Sequence, residues 1–420
     1  MALIYAEATP PGRGGISAIR ISGDGARRVA ERLAGPLERP RHAYLRTLRE
    51  GNEILDQALV SWFEAGRSFT GEETAELQLH GAPVVVRRVG AALRRMDVRS
   101  AEAGEFTRRA FLAGKMDLAE VEGLGDLLAA ETEAQRQQAA RLASGELGRV
   151  AGDWRKMLID AGALIEASVD FADEETPEEV PAEVFSLLQE LAAELDRHIA
   201  GYAAAETIRS GFEVAIIGPP NAGKSSLLNR LARRDVALVS EIAGTTRDVI
   251  EARLDLSGVP VTFLDTAGLR KSSDLIESLG IDRARQRALA ADLRVHLSPD
   301  GQREQDLWRD GDIVVSSKVD LRGDGSTGVS ALTGVGIDDL LTRLRRTLAE
   351  RIAPAGLVSH GRQLNALVDA RRALADIDGL PPEILAENIR ACAMSLDRLL
   401  GRIGAEDYLD AIFTTFCIGK

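Results

Sequence analysis

One octapeptide constrains this chain more than any other feature: Gly218-Pro219-Pro220-Asn221-Ala222-Gly223-Lys224-Ser225. It fits the phosphate-binding P-loop, a turn that works only between a buried strand and the start of a helix. Both neighbours can be read in the sequence. Val214-Ala215-Ile216-Ile217 is a short apolar run before it, and Ser226-Leu227-Leu228-Asn229-Arg230-Leu231 reads as a helix start after it. The glycines allow the backbone to wrap closely, so successive N–H groups and the helix N-terminus point at phosphate oxygens. Asn221, Ala222, Gly223, Lys224, Ser225 and Ser226 are therefore candidate nucleotide contacts. Lys224 would reach the β- and γ-phosphates, and the Ser225 hydroxyl would ligate Mg²⁺.

Further motifs follow in the order a nucleotide site needs them. Gly244-Thr245-Thr246-Arg247-Asp248 supplies hydroxyls that can bond a γ-phosphate and complete the Mg²⁺ shell, with Thr246 as the candidate ligand. Val261-Thr262-Phe263-Leu264 reads as a strand and ends in Asp265-Thr266-Ala267-Gly268. Asp265 suits a carboxylate that holds Mg²⁺, and the Gly268 N–H can face the γ-phosphate. Ile313-Val314-Val315 then leads into Ser316-Ser317-Lys318-Val319-Asp320. Guanine-reading sites carry Asn-Lys-x-Asp there, so Lys318 and Asp320 fit while Ser317 replaces the asparagine. Val329-Ser330-Ala331-Leu332 matches the last guanine-contact loop, where a backbone N–H of Ser330 or Ala331 faces O6. Leu269 stands where Ras-type enzymes position water with glutamine, and Asp274 and Glu277 are the nearest acidic substitutes. The stretch from Leu293 to Asp312 is short and polar for the central strand and crossover expected of such a domain.

The organisation of the chain follows from changes of texture. Residues 1–116 mix short β-like runs, Gly-rich turns and a helix around Gly81–Met96, an α+β pattern. From Asp117 the sequence is rich in Ala, Leu, Glu and Gln, and Val184, Leu187, Leu188, Leu191 and Leu195 form one helical stripe. Residues 211–350 alternate strand and helix signals as an α/β domain does. Beyond Pro354, Leu385, Ile389, Cys392, Leu396, Leu399 and Ile403 form a second stripe. The expected boundaries are thus 1–116, 117–210, 211–350 and 351–420, with the two helical pieces folding together around an inserted nucleotide domain. The net charge of −13 is uneven: residues 1–116 hold 18 Lys/Arg against 14 Asp/Glu, and the remainder 34 against 51. Arg87-Arg88, Arg94-Arg95 and Arg108-Arg109 are either solvated helix faces or a nucleic-acid surface. No apolar run approaches the ~20 residues that span a bilayer. Two cysteines, Cys392 and Cys417, build no disulfide framework, so a cytoplasmic location without membrane contact is expected.

Four further motifs carry a resemblance. Thr9-Pro10-Pro11-Gly12-Arg13-Gly14-Gly15-Ile16, Ser68-Phe69-Thr70-Gly71-Glu72, Gly104-Glu105-Phe106-Thr107 with Arg109-Ala110-Phe111-Leu112, and Cys417-Ile418-Gly419-Lys420 closely resemble the MnmE (TrmE) family of bacterial tRNA-modification GTPases. The resemblance covers essentially the whole chain. It implies a multidomain α+β and α/β architecture: an N-terminal folate-binding and dimerising domain, a discontinuous helical domain and an inserted Ras-like P-loop GTPase domain. It implies a homodimer that works with the flavoprotein MnmG, as a heterotetramer, on tRNA. The product it implies is a (carboxymethyl)aminomethyl group at C5 of the wobble uridine, its one-carbon unit coming from a 5-formyl or methylene tetrahydrofolate. Arg20, Glu76, Lys115 and Lys420 fall at the family's folate contacts. Asn221, Ser240, Ile242 and Thr245 fall at its K⁺ contacts, Mg²⁺ being held by Ser225, Thr246 and Asp265. Glu277 falls at the carboxylate that orients the hydrolytic water, beside Lys224 and Gly268 as catalytic groups. Cys417 is either a nucleophile or a small apolar residue. A second reading is a non-enzymatic guanine-nucleotide switch or ribosome-assembly-type GTPase, motivated by Ser317 and the eroded 293–312 stretch. A third is a folate-binding protein whose nucleotide domain is degenerate.

Overall fold

Alternating apolar residues in the first hundred positions build a six-stranded sheet. Its strands are β1 (Ile4–Glu7), β2 (Ile16–Ser22), β3 (Tyr44–Glu50), β4 (Glu53–Phe63), β5 (Thr74–His80) and β6 (Arg99–Ser100). Their order is β3-β4-β5-β2-β1-β6. All pairs are antiparallel except β1 with β6. Because side chains alternate across a strand, Ile19, Ile21, Leu48, Val60, Leu77 and Leu79 share a buried face with Val29, Leu33, Val89 and Leu93 of helices Ala26–Ala34 and Pro83–Arg94. The opposite face leaves Ile16, Leu45 and Leu59 exposed. The expected helix lies at Pro83–Arg94, and two more, Ala26–Ala34 and Glu105–Leu112, join it. Their short, arginine-rich sequences hide the apolar stripe.

The computed structural model describes residues 2–170, 180–233, 251–256, 258–265, 285–322, 327–352 and 355–403, with positions 409, 412–414, 416 and 419 near the end. The chain separates into two compact units: Met1–Gly125 with Ala143–Arg155 and Ala393–Lys420, and Asp126–Leu142 with Lys156–Cys392. In the first, Leu118, Val121, Leu409, Phe413 and Phe416 form a small apolar cluster. A Cβ at Gly419 would sit 2.2 Å from the Glu7 carbonyl oxygen, so only glycine fits position 419 against the end of β1. In the second, helix Ala182–Ala200 buries Val184, Leu188, Leu191 and Leu195 and packs against helix Gly361–Ala373. Helix Pro382–Leu399 buries Leu385, Ile389, Cys392, Leu396 and Leu399, while Ile403 lies past its end and is exposed. Burial pushes the Cys392 thiol up to about 12, which leaves it an inert apolar group.

The second unit also holds a five-stranded sheet of order β11-β10-β7-β9-β8. Its strands are β7 (Phe212–Ile217), β8 (Glu251–Leu256), β9 (Val259–Asp265), β10 (Leu293–Ser298) and β11 (Ile313–Ser316). Only the edge strand β8 is antiparallel. This is the parallel, mostly buried sheet of an α/β nucleotide domain. The 293–312 stretch, expected to be eroded, holds a complete strand with all six residues of β10 buried. Its polar positions are satisfied from within. The Arg294 Nε donates to Asp312 Oδ2 at 2.8 Å and Nη1 to the Ala291 carbonyl at 3.0 Å. His296 Nε2 lies 3.4 Å from the same carboxylate, and its Nδ1 accepts from the Glu304 amide at 3.2 Å. Asp312 also accepts from the Arg309 and Arg294 amides. Within the β10–β11 crossover the regular structure is one short 3₁₀ turn, Gln305–Leu307, and a buried ion pair takes the place of helix-packing residues.

Candidate functional site

The P-loop sits between β7 and helix Lys224–Ala232, as its spacing requires. Asn221 (φ +62°) and Gly223 (φ +99°) turn the chain through left-handed conformations just before the helix begins. A Cβ at Gly218 would lie 1.9 Å from the Leu297 carbonyl oxygen, so the first glycine is required for the loop to pass β10. Lys224 is buried and donates from Nζ to the Gly218 and Pro219 carbonyls at 2.7 and 3.1 Å. Its ammonium is thereby curled over the loop rather than left in solvent. The Ser225 hydroxyl donates to Asp265 Oδ2 at 2.5 Å. Asp265 ends β9 beside Ile216 of β7, and the P-loop turn carries the first turn of the following helix, with Ser225, back to that strand end. A hydroxyl and a carboxylate converging in this way are the hard oxygen donors Mg²⁺ prefers.

The base-side motifs gather at the C-terminal end of β11. Ser317 bridges Val329 in parallel fashion and its amide donates to the Ser298 carbonyl at 2.8 Å. The Ser317 hydroxyl is buried and, among the described residues, has no hydrogen-bond partner. It therefore faces inward and does not replace an asparagine amide at the base. Lys318 (φ +56°) turns the chain outward, and Asp320 is exposed on the turn Val319–Leu321. The Ser330 amide is engaged by the Val335 carbonyl at 2.9 Å, and the Ser330 hydroxyl accepts from the Thr333 amide at 3.1 Å. That leaves Ala331 as the better donor toward a base. The sequence reading missed Arg230, whose guanidinium caps the Leu332 and Thr333 carbonyls at 3.4 and 3.5 Å and ties the P-loop helix to the base loop. Its only signal was a charge inside an apolar helix start. Ser240, Ile242, Thr245, Thr246, Gly268 and Glu277 lie outside the described residues, so the structure does not place them.

A second cluster occupies the N-terminal sheet. Arg20 on β2 faces Glu76 on β5 across the strand pair, at 2.9 Å. The Arg20 guanidinium also lies 5.5 Å over the Phe69 ring and 5.9 Å over Phe106. The Lys115 ammonium bonds the Gly66 carbonyl, and its stem passes within 3.7 Å of where a Cβ on Gly71 would be. Arg20, Glu76 and Lys115 thus converge on the loop 64–71; Lys420 and Cys417 lie outside the described residues. The Ser-Phe-Thr-Gly-Glu motif now has a physical role. Thr70 and Ser22 hydroxyls meet at 2.7 Å, Ser22 donates to Glu72 at 2.9 Å, and buried Arg109 donates to Glu72 at 2.7 Å. Phe69, quoted in the motif without a role, is the aromatic face beside Arg20. Glu105 completes the network: burial raises its carboxyl, but bonds from Arg99, the Glu102 amide and Arg109 outweigh this and bring it to about 2.

Comparison with known proteins covers both clusters. The family described as MnmE helical domain matches residues 118–417, and the GTP-binding protein TrmE N-terminus matches residues 3–115. A tRNA modification GTPase MnmE of Paracoccus denitrificans (strain Pd 1222) is 58% identical over 420 residues, covering both chains completely. The protein of that name from Roseobacter denitrificans (strain ATCC 33942 / OCh 114) is 51% identical over 431 residues, again across both chains. Among solved structures, a point variant of Aquifex aeolicus Era bound to GDP and AlF4⁻ is 25% identical, covering 41% of this chain and 69% of that one at a TM-score of 0.27. Among the described residues no helix is long and apolar enough to cross a membrane.

Proposed function

Since this chain belongs to the MnmE family of tRNA modification GTPases, we propose that its GTP hydrolysis drives addition of a (carboxymethyl)aminomethyl group to C5 of the wobble uridine, in concert with MnmG and with a tetrahydrofolate derivative as one-carbon donor. The observation that carries the nucleotide half is the convergence of Ser225 and Asp265 at 2.5 Å, one residue from the Lys224 ammonium. Asn221, Ala222, Gly223 and Ser226 line the phosphate path, and Lys224 neutralises the β- and γ-phosphates. Lys318, Asp320 and Ala331 take the guanine edge, and Ser330 holds their loop in shape through Val335 and Thr333. Ser225 and Asp265, with Thr246, would hold Mg²⁺, which would supply neutralising charge to the phosphates. Ser240, Thr245 and Gly268 close the γ-phosphate side, and Glu277 orients the attacking water.

For the folate half, Arg20, Glu76, Lys115 and Lys420 contact the cofactor, Glu76 beside Arg20 accepting from the pterin N–H edge and Lys115 and Lys420 pairing with its glutamate carboxylates. The convergence of Arg20 and Lys115 on the Phe69 loop supports this, because an aromatic ring there offers a stacking face for a pterin. The uncovered sheet face beside Arg20, with Ile16, Leu45 and Leu59 exposed, supports a homodimer that covers it. The domain limits 1–116, 117–210, 211–350 and 351–420 and a cytoplasmic location belong to the same reading. The rival reading of a non-enzymatic switch loses one of its two grounds, since β10 is complete.

Two experiments test this. Nucleoside mass spectrometry of tRNA from a strain lacking the gene is expected to show loss of the C5-modified wobble uridine, and an unchanged nucleoside profile would count against the modification reading. Phosphate release from GTP is expected to be at least about tenfold faster in KCl than in NaCl, because a monovalent cation held by Asn221, Ser240, Ile242 and Thr245 supplies the stabilising charge. Glu277→Ala should lose that turnover while keeping nucleotide affinity. Equal rates in the two salts would remove K⁺ from the mechanism.

A further inference from the structure

The arginine pairs that stand out in the N-terminal sequence are largely neutralised in the fold. Arg88 is bonded to Glu50 at 2.8 Å and to Glu53, and Arg95 to Glu50 at 2.5 Å. Arg94 donates to the Tyr5 hydroxyl at 2.6 Å, and Arg109 is buried against Glu72 and Glu105. A different set keeps its charge. Residues 27–49 contain seven arginines against two acidic residues, Glu31 and Glu38. Glu31 is paired with Arg27. At the edge of the sheet, the guanidiniums of Arg41 and Arg46 are held only by backbone oxygens. Arg41 Nη2 donates to the Arg67 carbonyl at 3.0 Å. Arg46 donates to the Leu45 and Pro36 carbonyls at 3.3 and 3.4 Å. Among the described residues, Arg39, Arg41, Arg46 and Arg67 have no carboxylate partner; the acidic side chains nearest to them in the chain are Glu38, Glu50 and Glu64, and Glu50 is already held by Arg88 and Arg95.

Aromatic groups are interleaved with these charges. His42, Tyr44 and Arg46 are spaced by two residues, so an extended chain sets them on one side. The Arg46 guanidinium lies 4.8 Å over the Tyr44 ring, and the His42 ring meets it edge-on at 4.7 Å. The Tyr44 hydroxyl accepts from the Arg39 amide at 2.7 Å, which fixes the ring's position. Unpaired guanidiniums a few ångströms from a fixed aromatic ring are what a nucleic-acid backbone and an unstacked base require. We propose that Arg39, Arg41, Tyr44, Arg46 and Arg67 form the face on which this protein docks the phosphate backbone of its tRNA. The proposal rests on the tRNA reading above and adds where on the chain the RNA sits. Arg41, Arg46 and Arg67 would bond phosphates, and Tyr44 would offer a stacking surface to a base.

Fluorescence anisotropy with bulk tRNA, titrated at several salt concentrations, tests the face in the full chain. Charge reversal at Arg39, Arg41 and Arg46 together is expected to weaken binding by at least about tenfold and to make the salt dependence shallower by about two in slope. Tyr44→Ala alone should cost about fivefold or more. A charge-matched control, Arg87→Glu with Arg197→Glu and Arg390→Glu, should bind like wild type. GTP turnover should be unchanged in the patch variants. Should the triple variant fail to fold, Arg41→Gln with Arg67→Gln removes two phosphate contacts and leaves Tyr44 and Arg46 in place; it should weaken binding at least about threefold. Patch variants binding within twofold of wild type would overturn the proposal, as would equal losses in the control. Equal affinity for phosphatidylglycerol vesicles would replace RNA with a membrane surface and overturn it too. If wild type binds no tRNA, the docking face is wrong, whereas the modification reading falls only if the wobble nucleosides are unchanged in the deletion strain.

Discussion

Lys224→Ala is expected to reduce GTP turnover by about 10²–10³-fold, the usual loss when one preorganised charge at developing negative oxygens is removed. The side chain is already placed for this. Its ammonium curls back onto the Gly218 and Pro219 carbonyls, so the charge is already held over the loop that must receive the phosphates. Alanine removes both the phosphate contact and the internal tie that holds the loop closed. Binding of fluorescent GTP should therefore weaken along with turnover. Arginine is a poor substitute, because a planar guanidinium does not fit where two carbonyls take a compact ammonium. Phosphate release together with nucleotide titration checks the result. Turnover within threefold of wild type would show that the loop does not act on the γ-phosphate. Affinity for tRNA in the absence of nucleotide should be unchanged, which separates this effect from loss of the arginine face.

What is legible in the sequence depends on whether local pattern or tertiary pairing fixes the outcome. The P-loop, β7, β9 with Asp265 at its end, and β11 are each specified by apolar runs that punctuate a motif, and all lie where the sequence places them. The helical stripes are legible for the same reason: Val184, Leu188, Leu191 and Leu195 repeat with the helix period and are buried. By contrast, β10 is placed at Leu293–Leu297 by the sequence but looks eroded there, because Arg294 and His296 break its apolar run. Their partner Asp312 lies far enough along the chain that no periodicity announces it. The helices Ala26–Ala34 and Glu105–Leu112 are hidden by their arginines. Further partners reach them once the sheet has formed, as Arg27 over Trp62 and Arg109 against Glu72 show. The charge surface is half legible for the same reason. Doublets such as Arg94-Arg95 are exposed, as one of the two sequence readings expects, but only the fold reveals that Tyr5 and Glu50 hold them.

Asp312→Ala is expected to lower the melting temperature by on the order of 10 °C. Both members of the pair are inaccessible, with side-chain exposure of 3% for Arg294 and 0% for Asp312. Removing one partner leaves a buried, uncompensated guanidinium, a change that costs about 3–5 kcal/mol, and each kcal/mol shifts melting by roughly 2–4 °C in a unit of this size. The same carboxylate also takes the Arg309 and Arg294 amides and faces His296, so the loss reaches the whole crossover. Replacing both charges, as Arg294→Met with Asp312→Leu, should restore much of the stability, because matched apolar groups need no partner. The pH dependence has a definite sign. Burial holds the His296 imidazole below its ordinary value, despite the opposing pull of Asp312. The unfolded chain therefore takes up a proton near pH 6.5 that the folded one refuses, and stability falls as pH drops from about 6.5 toward the folded value. Burial raises the Asp312 carboxyl, but the Arg294 guanidinium and the Arg309 and Arg294 amides outweigh this and hold it below its ordinary value. Its stabilising contribution is fully present above about pH 4 and is lost as pH falls through the folded value. Both groups act in the same direction, so thermal melts should show a loss that begins near pH 6.5 with His296 and a further loss below about pH 4 with Asp312. A His296→Leu variant should flatten the upper part of that curve. Nucleotide affinity should fall with stability in Asp312→Ala, since β10 pairs with β7 and the Leu297 carbonyl abuts Gly218 at the start of the P-loop. A melting temperature within 2 °C of wild type would mean that water reaches Arg294 once the carboxylate is gone, and that β10 is held by its apolar residues alone.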